Sequence, residues 1–175
     1  MRLAEESRLI AAIAVLAFVT AERLVELPIA RRNTARLLAR GAIEYAPRHY
    51  PLIVSLHVAW LAGLWLLGWD RPIQWGWLAA FALLQVLRVW VVATLGARWT
   101  TRIIVLPGAP LVRNGPYRFL THPNYVVVIG EIAVLPLVFG LPLYALAFSI
   151  LNGIVLWIRI SAENSALRGA SHPSF

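Results

Sequence analysis

The chain contains no cysteine and no lysine, and only 14% of its 175 residues are charged. Without cysteine there is no disulfide, no thiolate zinc site and no cysteine nucleophile. Without lysine there is no Gly-Lys-Ser/Thr phosphate loop, and no Gly-x-Gly-x-x-Gly fingerprint stands in for one. Four scattered histidines form no His-x-x-x-His pair, so a metal centre has no framework, and no Gly-x-Ser-x-Gly elbow appears. The shortage of charge matters most. A soluble domain carries about 25% charged residues and about 45–50% apolar ones. Here 60% are hydrophobic and the mean hydropathy is +0.72. Polar groups are too few to cover such a surface, so lipid must solvate much of it.

Five apolar segments run from about Leu9 to Ile29, Tyr50 to Trp69, Ile73 to Leu95, Tyr125 to Phe139 and Pro142 to Ile160. A span needs roughly 20 apolar residues. The fourth is short, and Gly140-Leu141-Pro142 predicts a tight turn joining it to the fifth as a helical hairpin. Val19-Thr20-Ala21 looks like a signal-peptide cleavage site. However, Glu5 and Glu6 beside Arg2 and Arg8 deny the leading stretch a clear positive charge, so the first segment reads as a retained helix. The fold class expected is an all-α integral membrane protein of about five transmembrane helices, one domain over residues 1–175.

All sixteen basic residues are arginine and the net charge is +8. No basic stripe interleaved with stacking aromatics lies on a polar background, so nucleic acid is not the expected partner. The connection after the first segment holds Arg31, Arg32, Arg36, Arg40 and Arg48, and the third holds Arg98, Arg102, Arg113 and Arg118 with no acidic residue. The second has only Asp70 and Arg71, the fourth has no charge, and the tail carries Arg168. By the positive-inside rule the N-terminus lies outside the cell membrane and the C-terminus in the cytosol. Tryptophans such as Trp60, Trp65, Trp69, Trp75, Trp77 and Trp157 read as interfacial anchors or packing.

The third connection, about Gly96 to Asn124, is far longer than helix connections usually are, and such loops commonly carry function. Its β-branched stretch Thr100–Leu106 predicts a strand, Pro107-Gly108 a turn, and Leu111-Val112 a return strand, together a small cytosolic β-hairpin. Ionisable residues at membrane depth mark function or paired structure. They are Glu22, Arg23 and Glu26 in the first segment, Arg88 in the third, Glu131 in the fourth, and Arg159 with Glu163 at the end of the fifth. Arg159 and Glu163, four apart, share a helical face and suit an interfacial ion pair. Glu22, Arg23 and Glu26 suit a structural network to another helix. His122-Pro123-Asn124-Tyr125 sits where the loop re-enters the membrane. Pro123 disfavours helix at His122, and the helix N-terminus that follows suits an anion.

Leu111-Val112-Arg113-Asn114-Gly115-Pro116-Tyr117-Arg118, then His122-Pro123-Asn124-Tyr125, then Glu163 beyond a helical hairpin, resembles the isoprenylcysteine carboxyl methyltransferase family. Gly96-Ala97-Arg98-Trp99-Thr100 is similar to that family's approach to the loop, and the likeness covers about residues 84–168. Thr121 stands where the family has an arginine, and Ala162 where it has the first of two glutamates. Gly41–Tyr45 and Arg48–Pro51 look more like a small bacterial branch whose members methylate hydroxyl groups of long-chain alkylpyrones and alkylresorcinols.

The resemblance implies S-adenosylmethionine as cofactor, bound in a core over about residues 95–168. His122, Pro123 and Tyr125 would hold it, and Glu163 would contact its amino-acid end. Charge and position add Arg118 and Arg159 as partners for its carboxylate. His122, Glu131 and Arg88 are the candidate helpers of methyl transfer, with nothing to choose among them. The partners expected are the bilayer and a lipophilic small-molecule acceptor, with no obligatory protein partner. Two other classes stay open: a small transporter or channel, although no internal repeat is found, and an NADPH-dependent membrane reductase.

Overall fold

The structure, a computed structural model, describes residues 2–171, with the side chains of residues 2–4, His49 and 167–171 left aside; Arg168 is thus outside the described side chains. Five helices carry the fold: α1 (Arg2–Ala39), α2 (Tyr50–Gly68), α3 (Trp75–Leu95), α4 (Pro123–Val138) and α5 (Pro142–Ser171). Tyr50–Gly68, Trp75–Arg98 and Pro142–Ala166 are long and apolar enough to cross a membrane, and Pro123–Val138 is apolar but shorter. The chain is an all-α membrane protein. Two helices outrun their apolar segments. At about 1.5 Å per residue, α1 reaches about 57 Å and α5 about 45 Å, against a hydrocarbon core of about 30 Å. No helix breaker follows Pro28 until Gly41, whose φ is +84°, so the arginine-rich stretch simply continues α1.

A small sheet joins the first and third connections. The strand expected within Thr100–Leu106 forms as β2 (Ile103–Val105). Its partner is β1 (Ile43–Tyr45) of the first connection, and not Leu111-Val112, which forms no strand. The pairing is antiparallel, with Glu44 opposite Ile104. The Arg102 guanidinium donates to both Glu44 oxygens, at 3.1 and 3.2 Å, across the ladder. Ile103 and Val105 pack beneath it against Ala166 of α5 and the partly buried Tyr45 and Ala162. A return hairpin offers β2 no such helix to bury its apolar face, which is why the distant partner wins.

The membrane core is built from Leu16 and Val19 of α1, Trp60 and Leu64 of α2, Phe81 of α3, and Ile132 and Leu135 of α4. The predicted turn at Gly140 forms with φ +65°, and α4 and α5 pack as the hairpin expected. Gly130 lets α4 approach α3 closely, since a Cβ there would lie 2.7 Å from Leu84 Cδ2.

Polar groups also tie the helices together. Arg88 donates from Nε and Nη2 to Glu26 at 2.6 and 2.5 Å, and from Nη1 to Glu131 at 2.8 Å. Arg23 donates to the same Glu131 oxygen at 2.5 Å and to Glu26 at 3.0 Å, and Gln85 completes Glu131 at 2.9 Å. Glu22 lies 3.2 Å from Arg88 Nε. This is the structural network read for α1, and it reaches both α3 and α4. Removing one partner of such a buried pair costs about 3–5 kcal/mol, because the other charge is stranded. Arg88→Met should therefore lower the thermal unfolding temperature in detergent sharply. Arg88→Lys should recover part of the loss, having charge but no fork for two carboxylates.

Gly115 fixes the loop against α3. Its φ is +54°, and a Cβ would come within 2.5 Å of Thr94 Oγ1 and 3.2 Å of Trp90 Nε1. Gly115→Ala should cost about 1–3 kcal/mol through backbone strain and the clash together. The check is chemical denaturation; unchanged stability would show that the loop does not seat on α3.

Candidate functional site

Where the apolar segments end, the extensions of α1 and α5, the sheet and the long third connection enclose a cleft of about 1230 Å³. Leu37 of α1, Leu95 of α3, the strand residues, most of residues 98–122, and Tyr125, Arg159 and Glu163 line it. The loop is held at its entrance by the buried Asn33 of α1, which donates to the carbonyls of Gly96 at 3.1 Å and Trp99 at 2.8 Å. Arg98 pins the far limb by donating to the Pro110 carbonyl at 2.6 Å. A single-turn 3-10 helix, Gly115–Arg118, follows, and α4 then begins at Pro123 with no side-chain cap from His122. Pro123 has no N–H, and the amides of Tyr125 and Val126 already reach the His122 carbonyl at 3.0 and 3.4 Å, which leaves the Asn124 amide at this helix start.

One wall of the cleft is a polar chain running between α4 and α5. Arg159 Nε donates to the Tyr125 hydroxyl at 3.0 Å, and the Tyr125 hydroxyl donates in turn to Glu163 Oε2 in a short contact. A second Arg159 nitrogen donates to the Thr101 carbonyl at 2.8 Å. The ion pair expected between Arg159 and Glu163 is thus replaced by a relay through tyrosine. Among the described residues no guanidinium lies within ion-pairing distance of Glu163. The carboxylate is oriented but not neutralised, and so remains able to take a cation.

His122 Nε2 lies 3.2 Å from Asn164 Oδ1, and its ring sits 5.3 Å from that of Tyr125. Tyr117 projects from the loop beside the same carboxylate. Burial first, and the charge of Glu163 second, push its hydroxyl up to about 12, so it stays protonated through neutral pH.

The structure therefore brings His122, Tyr125, Arg159 and Glu163 together, with Arg118 also on the cleft lining and Pro123 buried at the start of α4. Arg88 and Glu131 are not on the lining; they lie deeper in the bundle, in the ion network. Three contributors escaped the sequence reading. Asn164 and the Thr101 carbonyl reveal themselves only once α5 continues past Ile160 and β2 docks on it. Tyr117 lay within a quoted motif, and its nearness to Glu163 is purely tertiary.

The model of the isoprenylcysteine carboxyl methyltransferase (ICMT) family matches residues 77–169, which takes in the loop, the wall of the cleft and Glu163. Uncharacterized protein YpbQ of Bacillus subtilis (strain 168) is 39% identical over 159 residues, covering 87% of this chain and 94% of its own. An uncharacterized protein of Haemophilus influenzae is 30% identical over 166 residues, covering 86% and 91%. No solved structure matches. With more than half its length inside the family model, and its cleft built from the matched segment, the chain belongs to the isoprenylcysteine carboxyl methyltransferase family of membrane methyltransferases.

Proposed function

We propose that this protein uses S-adenosylmethionine, drawn from the cytosol, to methylate an oxygen of a lipophilic acceptor. The observation that carries the reading is the un-neutralised Glu163, held by Tyr125 on the wall of a cleft of about 1230 Å³. Small-molecule sites occupy about 300–1,000 Å³, so this volume suits a cofactor together with the reactive end of an acceptor. The side chains fit the cofactor's groups. Glu163, the only carboxylate on the lining among the described residues, suits the methionine ammonium. Arg159 has two nitrogens tied to Tyr125 and Thr101 and keeps a third for the methionine carboxylate. Tyr117 offers a flat, partly exposed ring.

When bound, the cofactor supplies an electrophilic methyl group on a sulfonium. The protein's part is to hold the reactants in line and to exclude water. Tyr125 orients Glu163, and Asn164 orients His122. Of the three candidate helpers only His122 lines the cleft; Arg88 and Glu131 set the position of α4 that carries it. In this reading the N-terminus is outside and the cleft cytosolic, following the arginines. The acceptor favoured is a long-chain alkylpyrone or alkylresorcinol hydroxyl, with an isoprenylcysteine carboxylate as the alternative.

Calorimetry on the detergent-purified protein should show saturable S-adenosylmethionine binding. Glu163→Gln should weaken it about 10–100-fold, the worth of a charged hydrogen bond. Tyr125→Phe should weaken it by less, on the order of tenfold, because it frees Glu163 without discharging it. Absence of binding in folded protein sinks the reading and brings NADPH binding or transport forward.

Incubation with a methyl-labelled cofactor should transfer label to a long-chain alkylresorcinol or alkylpyrone, and not to the same head group lacking its chain. Label appearing on a prenylated cysteine instead would reassign the acceptor. Label on none of them would refute lipid O-methylation.

A further inference from the structure

Residues 111–121, which form the rim on one side of the cleft, also carry large exposed side chains. Leu111 is 59% exposed, Phe119 73% and Leu120 42%, while Arg113 and Arg118 between them are exposed too. Neither arginine has a carboxylate within ion-pairing distance among the described residues, and the third connection contains no acidic residue. Among the described residues, the partner of Arg118 is the ring of its neighbour Phe119, 5.9 Å from its guanidinium carbon. Large apolar side chains left bare beside unpaired arginines are poorly suited to water. They match the boundary where acyl chains meet phosphates.

Position supports the match. Shortly after the rim in the chain, the apolar helix α4 exposes Val126 (43%) and Ile129 (49%). The rim thus lies at the polar end of an apolar helix, where a membrane boundary is expected. Guanidinium forks suit phosphate geometry, and each arginine near an anionic leaflet favours association, two of them together on the order of tenfold or more.

We propose that residues 111–121 form an interfacial lip that docks on anionic phospholipid headgroups. Arg113 and Arg118 bind the phosphates, while Leu111, Phe119 and Leu120 enter the acyl boundary. The lip is one wall of the cleft, so the surrounding leaflet becomes part of the enclosure of the site. This inference rests on the membrane embedding of the chain and not on the cofactor reading.

The absence of cysteine makes a site-specific probe simple. Asn114→Cys places one thiol on an exposed position of the lip, for labelling with a nitroxide. The labelled protein would be placed in nanodiscs of phosphatidylcholine, with or without phosphatidylglycerol. The ratio of oxygen to nickel-chelate accessibility then reports depth. The expected result is a deeper label, with the ratio raised severalfold, only when the anionic lipid is present. The effect should vanish on Arg113→Gln with Arg118→Gln. Equal ratios in the two lipids would overturn the proposal. So would an anionic-lipid effect that survives both substitutions. A Leu120→Cys label at the apolar edge gives an independent reading: water-like accessibility there in the anionic discs refutes the lip. Because none of these readouts uses S-adenosylmethionine, failure here leaves the cofactor reading standing, and the reverse also holds.

Discussion

Two arginines and three carboxylates meet inside an apolar helical bundle, and the placement of everything at its polar end depends on them. Arg88 of α3 bridges Glu26 of α1 and Glu131 of α4 through three of its nitrogens, and Arg23 closes the circuit from α1. In hydrocarbon a helix gains little by burying leucine against leucine, since lipid tails are equally apolar. Directional polar contacts are what can specify one arrangement of three helices over others. Glu131 also follows Tyr125 on α4 by less than two turns, so its clamp fixes the height and rotation at which His122 and Tyr125 emerge.

Length is the second constraint. The membrane accepts only about 20 residues of any helix, and α1 and α5 both go on past that limit. Their continuations are not idle. Asn33, on the extension of α1, catches the two carbonyls at the start of the long connection. Ala166, on that of α5, receives the sheet. Glu163 and Asn164 lie between those two anchors. The site is thus a space framed by helices that run on past their apolar stretches, with a loop strapped between them.

The sequence made the coarse fold legible for a simple reason: hydropathy reports the solvent of each segment, and lipid leaves a plain signature. Four of the five apolar segments lie within about two residues of a helix boundary at their starts, and the Gly140 turn falls where it was placed. The helix extensions were illegible because arginine-rich, alanine-rich sequence is equally at home in a helix or a loop when hydropathy is the guide. The partner of β2 was illegible because strand pairing is settled by what covers the strand, and α5 is sixty residues away. In the site, single residues were readable and their relations were not. Arg159 and Glu163 are four apart and look like a pair, yet the tyrosine that separates them comes from another helix.

That separation decides what the cleft can do. A direct Arg159–Glu163 pair would satisfy both charges and leave a neutral wall. A hydroxyl between them accepts from the guanidinium and donates to the carboxylate, so it orders both while cancelling neither. Each keeps unfilled capacity, on groups of opposite charge held a fixed distance apart. Such a wall is what the proposed cofactor calls for, since its methionine end is a zwitterion whose ammonium and carboxylate would take the place of the missing ion pair. Among the described residues, Glu163 is the carboxylate on a lining otherwise rich in arginine, so the cationic half of an occupant has one partner to find. On the proposed reading, orientation in the cleft would be set at Glu163 and its tyrosine partner, and not by the number of surrounding arginines.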